Sequence, residues 1–278
     1  LNILEFTLLI LLCSFLAGLL GSLTGLGGGV VIVPLLALAF GVDVRYAIGA
    51  SLISVIATSS GAAAAYVKEG FSNIRVGMFL EIATTTGAIL GAFLAARIST
   101  GAVAVVFGLV LLHSAWLSLR ARRERRGADR SDPLAVRLHM DGDYPATEGR
   151  RYYHVHHVPM GFALMFIAGG LSGLLGIGSG AIKVLAMDRA MRIPFKVSTT
   201  TSNFMIGVTA TASAGVYLNR GYIDPGLAMP VTLGVLAGAL LGARELAGAK
   251  GTALRIVFSV VIIALAIEMI YNGLTGRL

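Results

Sequence analysis

Long apolar runs separated by short polar or basic joints set the pattern of this chain. Residues 44–67, 77–96, 102–119 and 254–271 are continuous apolar stretches, without the alternation of a half-buried strand. About 20 residues in a helix cross a hydrocarbon core about 30 Å thick, so each run predicts a membrane-spanning helix. A β-barrel would instead show short alternating segments with turns between them. The pattern predicts an all-α polytopic membrane protein. The first half runs in a fixed order: a long run (4–22), a glycine cluster, a shorter run (29–41), then three long runs (44–66, 74–97, 101–119).

The same order returns later in the chain. Placing Gly25 on Gly176 shifts the sequence by 151 residues (176 − 25) and aligns the halves without a gap. YVKEGF (66–71) falls on YLNRGY (217–222), GAILGA (87–92) on GALLGA (238–243), and RYAIGAS (45–51) on KVSTTTS (196–202). Internal repeats of this kind define the domain plan. Residues 1–119 are read as a first transmembrane repeat and 159–278 as a second, joined by a cytoplasmic linker or small subdomain at 120–158.

Charge decides which way the halves face. The basic run RARRERR (120–126) is expected in the cytoplasm. Four crossings per half would leave Arg189, Arg192, Lys196, Arg244, Lys250 and Arg255 outside. An odd count brings those six inside and leaves only Arg45, Arg97, Arg220 and Arg277 outside. The odd count therefore predicts two inverted-topology repeats. Each holds about five apolar segments, including a Gly-broken or re-entrant short helix, as in many secondary transporters.

Composition fits this plan. Hydrophobic residues make up 56% and charged residues 13%, against about a quarter charged in soluble domains. The net charge of +8 sits mainly in loops, so it is read as orienting the chain, with no nucleic-acid partner. Cys13 is the single cysteine and is read as a packing residue, with no intrachain disulfide. The apolar start is read as a first membrane helix rather than a removed signal peptide. The expected location is the plasma (inner) membrane of a prokaryote, crossed many times.

Candidate chemistry gathers at the two glycine clusters, GLGGG (25–29) and GIGSG (176–180). Glycine weakens a helix by about 1 kcal/mol per residue, so a cluster calls for a reason. Unpaired N–H groups at a helix start, together with the dipole, would suit an anion. A tight interhelical turn is the other reading. The first view nominates Gly27, Gly28, Gly29, Gly178, Ser179 and Gly180. Downstream, VSTTTSNF (197–204) adds Thr200, Thr201, Ser202 and Asn203, while its counterpart AIGASL (47–52) keeps Ser51. Such groups cost free energy in lipid unless paired. They suit a small oxyanion or hydrogen bonds between helices.

Intramembrane ionisable residues are functional candidates by default. Lys183 either adds positive charge to an anion site, snorkels, or pairs with Asp188. Glu81 either carries a coupling proton or pairs with a loop base such as Arg75. Glu268 is read as interfacial. The HVHH stretch (154–157) is read as a solvated juxtamembrane strand, and no metal site or cofactor is expected. GxxxxGK[ST], GxSxG and HExxH do not occur, so an enzyme is not expected.

The paired GLLGSLTGLGGGVVIVPLL and GLLGIGSGAIKVLAM, followed by AIGASL and STTTSNF, resemble the sulfite exporter TauE/SafE family of membrane transporters. The resemblance covers both halves apart from the linker. It implies a permease for small sulfur-containing anions or organic acids. The chain departs from the family at Gly49-Ala50-Ser51, where Gly-Thr-Ser is usual, and at Ser179 and Lys183, where apolar residues are common. The expected function is a secondary transporter for a small anion such as sulfite or a sulfonate, working by alternating access. An anion channel with the same pore lining is the alternative. Expected partners are the anion, the lipid bilayer, a coupling proton or cation, and further copies in a homo-oligomer.

Overall fold

The computed structural model describes residues 2–24, 29–68, 70–119, 131–146, 149–245 and 251–277. Gly27 and Gly28 of the first glycine cluster, and the basic run 120–126, lie outside the described residues. The first half comprises α1 (Ile3–Thr24), α2 (Gly29–Pro34), α3 (Val44–Lys68), α4 (Ile74–Ala95) and α5 (Thr100–Leu119). A small subdomain follows with α6 (Pro133–Arg137), β1 (Gly142–Ala146) and β2 (Gly149–Tyr153). The second half holds α7 (Val158–Leu175), α8 (Gly180–Leu185), α9 (Phe195–Asn219), α10 (Pro225–Glu245) and α11 (Gly251–Thr275). Both α2 and α8 continue into a π-helical turn, at Leu35–Ala39 and Ala186–Ala190.

The 151-residue shift survives in three dimensions. It separates the first residues of α2 and α8 (180 − 29), of α3 and α9 (195 − 44), and of α5 and α11 (251 − 100). Each short helix plus its π turn spans 11 residues (29–39 and 180–190), about 17 Å, half the reach of a spanning helix. By length and composition, α4 and α7 are sufficient to cross a membrane. Several others carry shorter apolar stretches, such as Leu4–Leu19 and Val44–Ser60.

Packing joins the halves. α1 lies on α10 and α4 on α7, through glycines that let backbones touch. A Cβ on Gly18 would sit 2.3 Å from Val235 O, and one on Gly169, the shifted position, 2.1 Å from Thr84 O. Gly238 meets Phe15 O at 2.0 Å, and its equivalent Gly87 meets Phe166 O at 2.1 Å. The two seams are built alike.

The repeat-equivalent helices also pack on each other, α3 on α9 and α5 on α11. Tyr46, early in α3, meets Tyr222, beyond the end of α9, edge to face. Ser59 meets Gly207 midway, and Phe71 O, past the end of α3, accepts from Thr200 Oγ1 near the start of α9. The two helices therefore run in opposite directions. Gly101 against Gly273, and Gly108 against Ala266, show the same for α5 and α11.

Outward faces are apolar too. Leu4, Leu8, Leu12 and Leu16 form an exposed stripe on α1, while Ile10, Ser14 and Ala17 face inward. Met78, Ile82 and Leu90 do the same on α4. A helix that is apolar all round needs lipid or protein on every side.

The subdomain is tied to the helices by shared caps. Asp132 caps α6 through Oδ1 on Leu134 N–H (2.9 Å) and accepts from Val158 N–H of α7 through Oδ2 (3.0 Å). Ala135, Met140, Tyr144, Tyr153 and Val155 enter one core with Val76 and Leu80 of α4 and Val197 of α9. The HVHH stretch departs from the solvated strand expected for it. His154 is exposed, but His156 is buried, its N–H bonded to Met191 O (3.0 Å). The apolar Val155 between them enters the core and carries its neighbour in. Burial, then the charges of Arg192, His157 and His154, hold His156 below its ordinary 6.5, against an opposing pull from Asp141. Burial pushes Tyr153 up to about 12, against the Asn73 hydrogen bond that favours its ionised form.

Candidate functional site

The second break is a left-handed turn packed tightly in the interior. Gly176 (φ 68°), Gly178 (φ 69°) and Ser179 (φ 43°) all adopt backbone that favours glycine. A Cβ on Gly178 would lie 2.8 Å from Ile206, and one on Gly180 2.7 Å from the same side chain. Ser179 spends its hydroxyl on Ala168 O of α7, at 2.6 Å. At the first break, a Cβ on Gly29 would meet Val55 at 2.7 Å, Ser51 Oγ at 2.8 Å and Gly176 O at 3.5 Å. The two breaks therefore adjoin, with α3 and α9 against them.

Serines of the long helices stitch that junction. Ser51 Oγ donates to Gly176 O (2.8 Å), with Gly29 O at 3.4 Å. Ser202, its equivalent 151 residues on, donates to Gly180 O at 3.3 Å. The Ser51 hydroxyl meets a carbonyl that the end of α7 leaves open, and the Ser202 hydroxyl adds a second hydrogen bond at the first carbonyl of α8.

The other expected donors go elsewhere. Thr200 Oγ1 donates to Phe71 O (3.0 Å), and Thr201 Oγ1 accepts from Asn73 N–H (3.0 Å). Asn73 Nδ2 reaches on to Met140 O (2.8 Å) and Tyr153 Oη (2.7 Å). The turn between α3 and α4 is thus held between the subdomain and α9. Asn203 is half-buried, with no hydrogen-bond partner for its amide among the described residues.

Charge enters one turn beyond the second break. Lys183 is wholly buried, so it does not snorkel. Its Nζ donates to Thr209 Oγ1 of α9 at 2.5 Å. Thr209 Oγ1 in turn lies 2.7 Å from Glu81 Oε1 of α4 and 2.9 Å from Met205 O. Thr85 Oγ1 donates to the same Glu81 oxygen (3.0 Å), while Glu81 Oε2 is buried without a hydrogen-bond partner among the described residues. Arg75 points away to His139 O (3.1 Å), so it is not the partner of Glu81.

An ammonium and a carboxylate from opposite halves are therefore bridged by one hydroxyl. Thr209 is the residue the sequence reading missed. Its only advance signal was Thr58, which occupies the equivalent place in the first half and bonds Ser54 O in the same way. Among the described residues, no group of three or more His, Cys, Asp or Glu is placed to hold a metal.

The family model for sulfite exporter TauE/SafE matches residues 10–269. The chain belongs to the sulfite exporter TauE/SafE family. Its Bacillus subtilis relative named probable membrane transporter protein YunE is 28% identical over 97% of this chain and 99% of that protein. A Xylella fastidiosa protein named probable membrane transporter protein is 27% identical over 94% of this chain and 92% of its own length. A Methanocaldococcus jannaschii relative of the same description is 26% identical over 85% of each chain. No solved structure gives a significant match. Family and relatives together identify the chain as a membrane transporter, and the apolar outer faces are what such a protein needs.

Proposed function

We propose that this TauE/SafE protein is a secondary transporter that moves a small anion across a prokaryotic plasma membrane by alternating access. Sulfite, a sulfonate or a related sulfur-containing or organic anion is the cargo. The observation that carries this reading is the fully buried ammonium of Lys183, on the short helix that starts where the two breaks adjoin. A buried cation in a membrane protein is costly unless something anionic meets it.

The helix arrangement supports the mechanism. Equivalent helices that pack antiparallel, α3 on α9 and α5 on α11, are what inverted repeats produce, and such repeats rock about a central site. Lys183 and Thr209 are then the donors that meet the cargo. The family name contributes the sulfur oxyanion.

Counterflow in proteoliposomes tests the reading, with sulfite, sulfate, thiosulfate, sulfoacetate and short carboxylates. Saturable exchange of at least one of these anions is expected, and Lys183→Met should abolish it. Steady current without counterflow would replace the carrier by a channel. Unchanged exchange in Lys183→Met would remove the carrying observation.

A further inference from the structure

We propose that Glu81 is a built-in stand-in for the cargo, a carboxylate that occupies the Lys183–Thr209 donors and that an incoming anion must displace. The proposal rests on the reading that Lys183 receives the transported anion. Three helices build the arrangement: α4 brings Glu81, α8 brings Lys183 and α9 brings Thr209. Lys183 carries three N–H donors and directs one at Thr209, which passes the interaction to Glu81 Oε1. A carboxylate oxygen and a sulfonate or sulfite oxygen are the same kind of acceptor. Donors that suit one suit the other.

Charge balance then links the anion to a proton. With Glu81 ionised, the buried centre holds one cation and one anion. An arriving anion makes one cation and two anions in a low-dielectric interior, where the surplus charge is poorly screened. The balance is restored when a proton from the aqueous phase attaches to Glu81 Oε2, the buried oxygen that has no hydrogen-bond partner among the described residues. Anion and proton are therefore bound together, one to one.

The two helices packed along α4, α7 and α9, bring no second carboxylate to this centre. α7, packed along α4, has no ionisable residue in its sequence. On α9, Lys196 lies over the Phe71 ring at the helix start, and Tyr217 bonds Gly173 O near the far end. On α4 itself, Arg75 faces the subdomain. The pair also occurs once. The positions related by the 151-residue shift are Ile32, Thr58 and Thr232, which carry no charge. One anion and one proton per protein follow from that asymmetry.

The test uses the protein in detergent, with ethanesulfonate and methanesulfonate as probes, monoanions whose charge is constant between pH 5.5 and 8. Affinity for both should rise as pH falls, by up to about tenfold per pH unit, the limit for one linked proton. In weakly buffered solution, binding to the unmodified protein should take up about one proton per anion. Glu81→Gln should bind more tightly than the parent at pH 8, with the pH dependence gone, and Glu81→Asp should keep it.

Binding by the parent that is independent of pH and takes up no proton would overturn the stand-in role while leaving the anion reading intact. If neither probe binds the parent at any pH, the anion reading falls and this proposal falls with it. The proton-uptake measurement needs no variant, so misfolding of Glu81→Gln cannot rescue the idea.

Discussion

Adding one methyl group at Gly173 should damage this protein more than any comparable change on a helix surface. Gly173 lies on the seam between α7 and α4, and a Cβ there would sit 1.9 Å from Ala88 O, 2.7 Å from its carbonyl carbon and 2.9 Å from its Cα. A relaxed carbon–oxygen contact is about 3.4 Å, so the helices must part locally by about 1.5 Å. The neighbouring approaches of Gly169 to Thr84 O (2.1 Å), Gly87 to Phe166 O (2.1 Å) and Gly91 to Gly170 O (2.0 Å) open with it. A gap of even ~1 Å forfeits up to about half of a dispersion contact. Overpacking alone costs about 1–3 kcal/mol.

Gly173→Ala is therefore expected to lose about 3 kcal/mol, read as a fall of about 6–12 °C in Tm. Thermal unfolding in detergent, followed by circular dichroism, is the assay. Gly215 of α9 is the control: it is exposed and a Cβ there meets nothing within 4 Å. Gly215→Ala should gain up to about 1 kcal/mol from helix propensity. A Gly173→Ala protein that melts at or above the parent would refute the close-seam argument. An equal loss in both variants would also do so, because space could not then be the cause.

Two further outcomes follow from local geometry. Arg192 adopts φ 56° where its equivalent is Gly41 at φ 64°; left-handed backbone costs a residue with a side chain about 1–2 kcal/mol, so Arg192→Gly should raise Tm by about 2–8 °C. The same change removes a charge that opposes protonation of His156. An unfolded chain takes up that proton near 6.5 while the folded one stays neutral, so His156 contributes full stability above 6.5 and loses it as pH falls through its folded value. Asp141 does not disturb this window: burial opposes its ionisation, but hydrogen bonds from Ser131, Val155 N–H and His154 hold it below 3.8. Melting curves between pH 5 and 7.5 should show a shallower acid loss in Arg192→Gly, and an unchanged slope would exclude the coupling. For topology, a Cys13-free background carrying Asn219→Cys should react with an impermeant thiol reagent from outside, and Tyr152→Cys only from inside. Reaction of both from one side would end the inverted-repeat proposal.

Apolar run length and the 151-residue shift were enough to place every long helix, because membrane solvation leaves the chain few choices and a duplicated sequence repeats its local preferences. The glycine clusters could be located as breaks for the same reason. Their packing was beyond reach, since the clash of a Cβ on Gly178 with Ile206, or on Gly29 with Val55, depends on neighbours distant in sequence. Ser51 and Ser202 read as donors, but whether they serve a ligand or a carbonyl is decided by which backbone lies 2.8–3.3 Å away. Lys183 and Glu81 stood out as intramembrane charges, yet Arg75 and Asp188 were the partners suggested by nearness along the chain. Only the crossing of α4, α8 and α9 sets Thr209 between them, 26 residues from Lys183 and 128 from Glu81. Periodicity records what each helix buries; which buried charges meet is a property of the angles and depths at which helices pack, and no single segment carries that information.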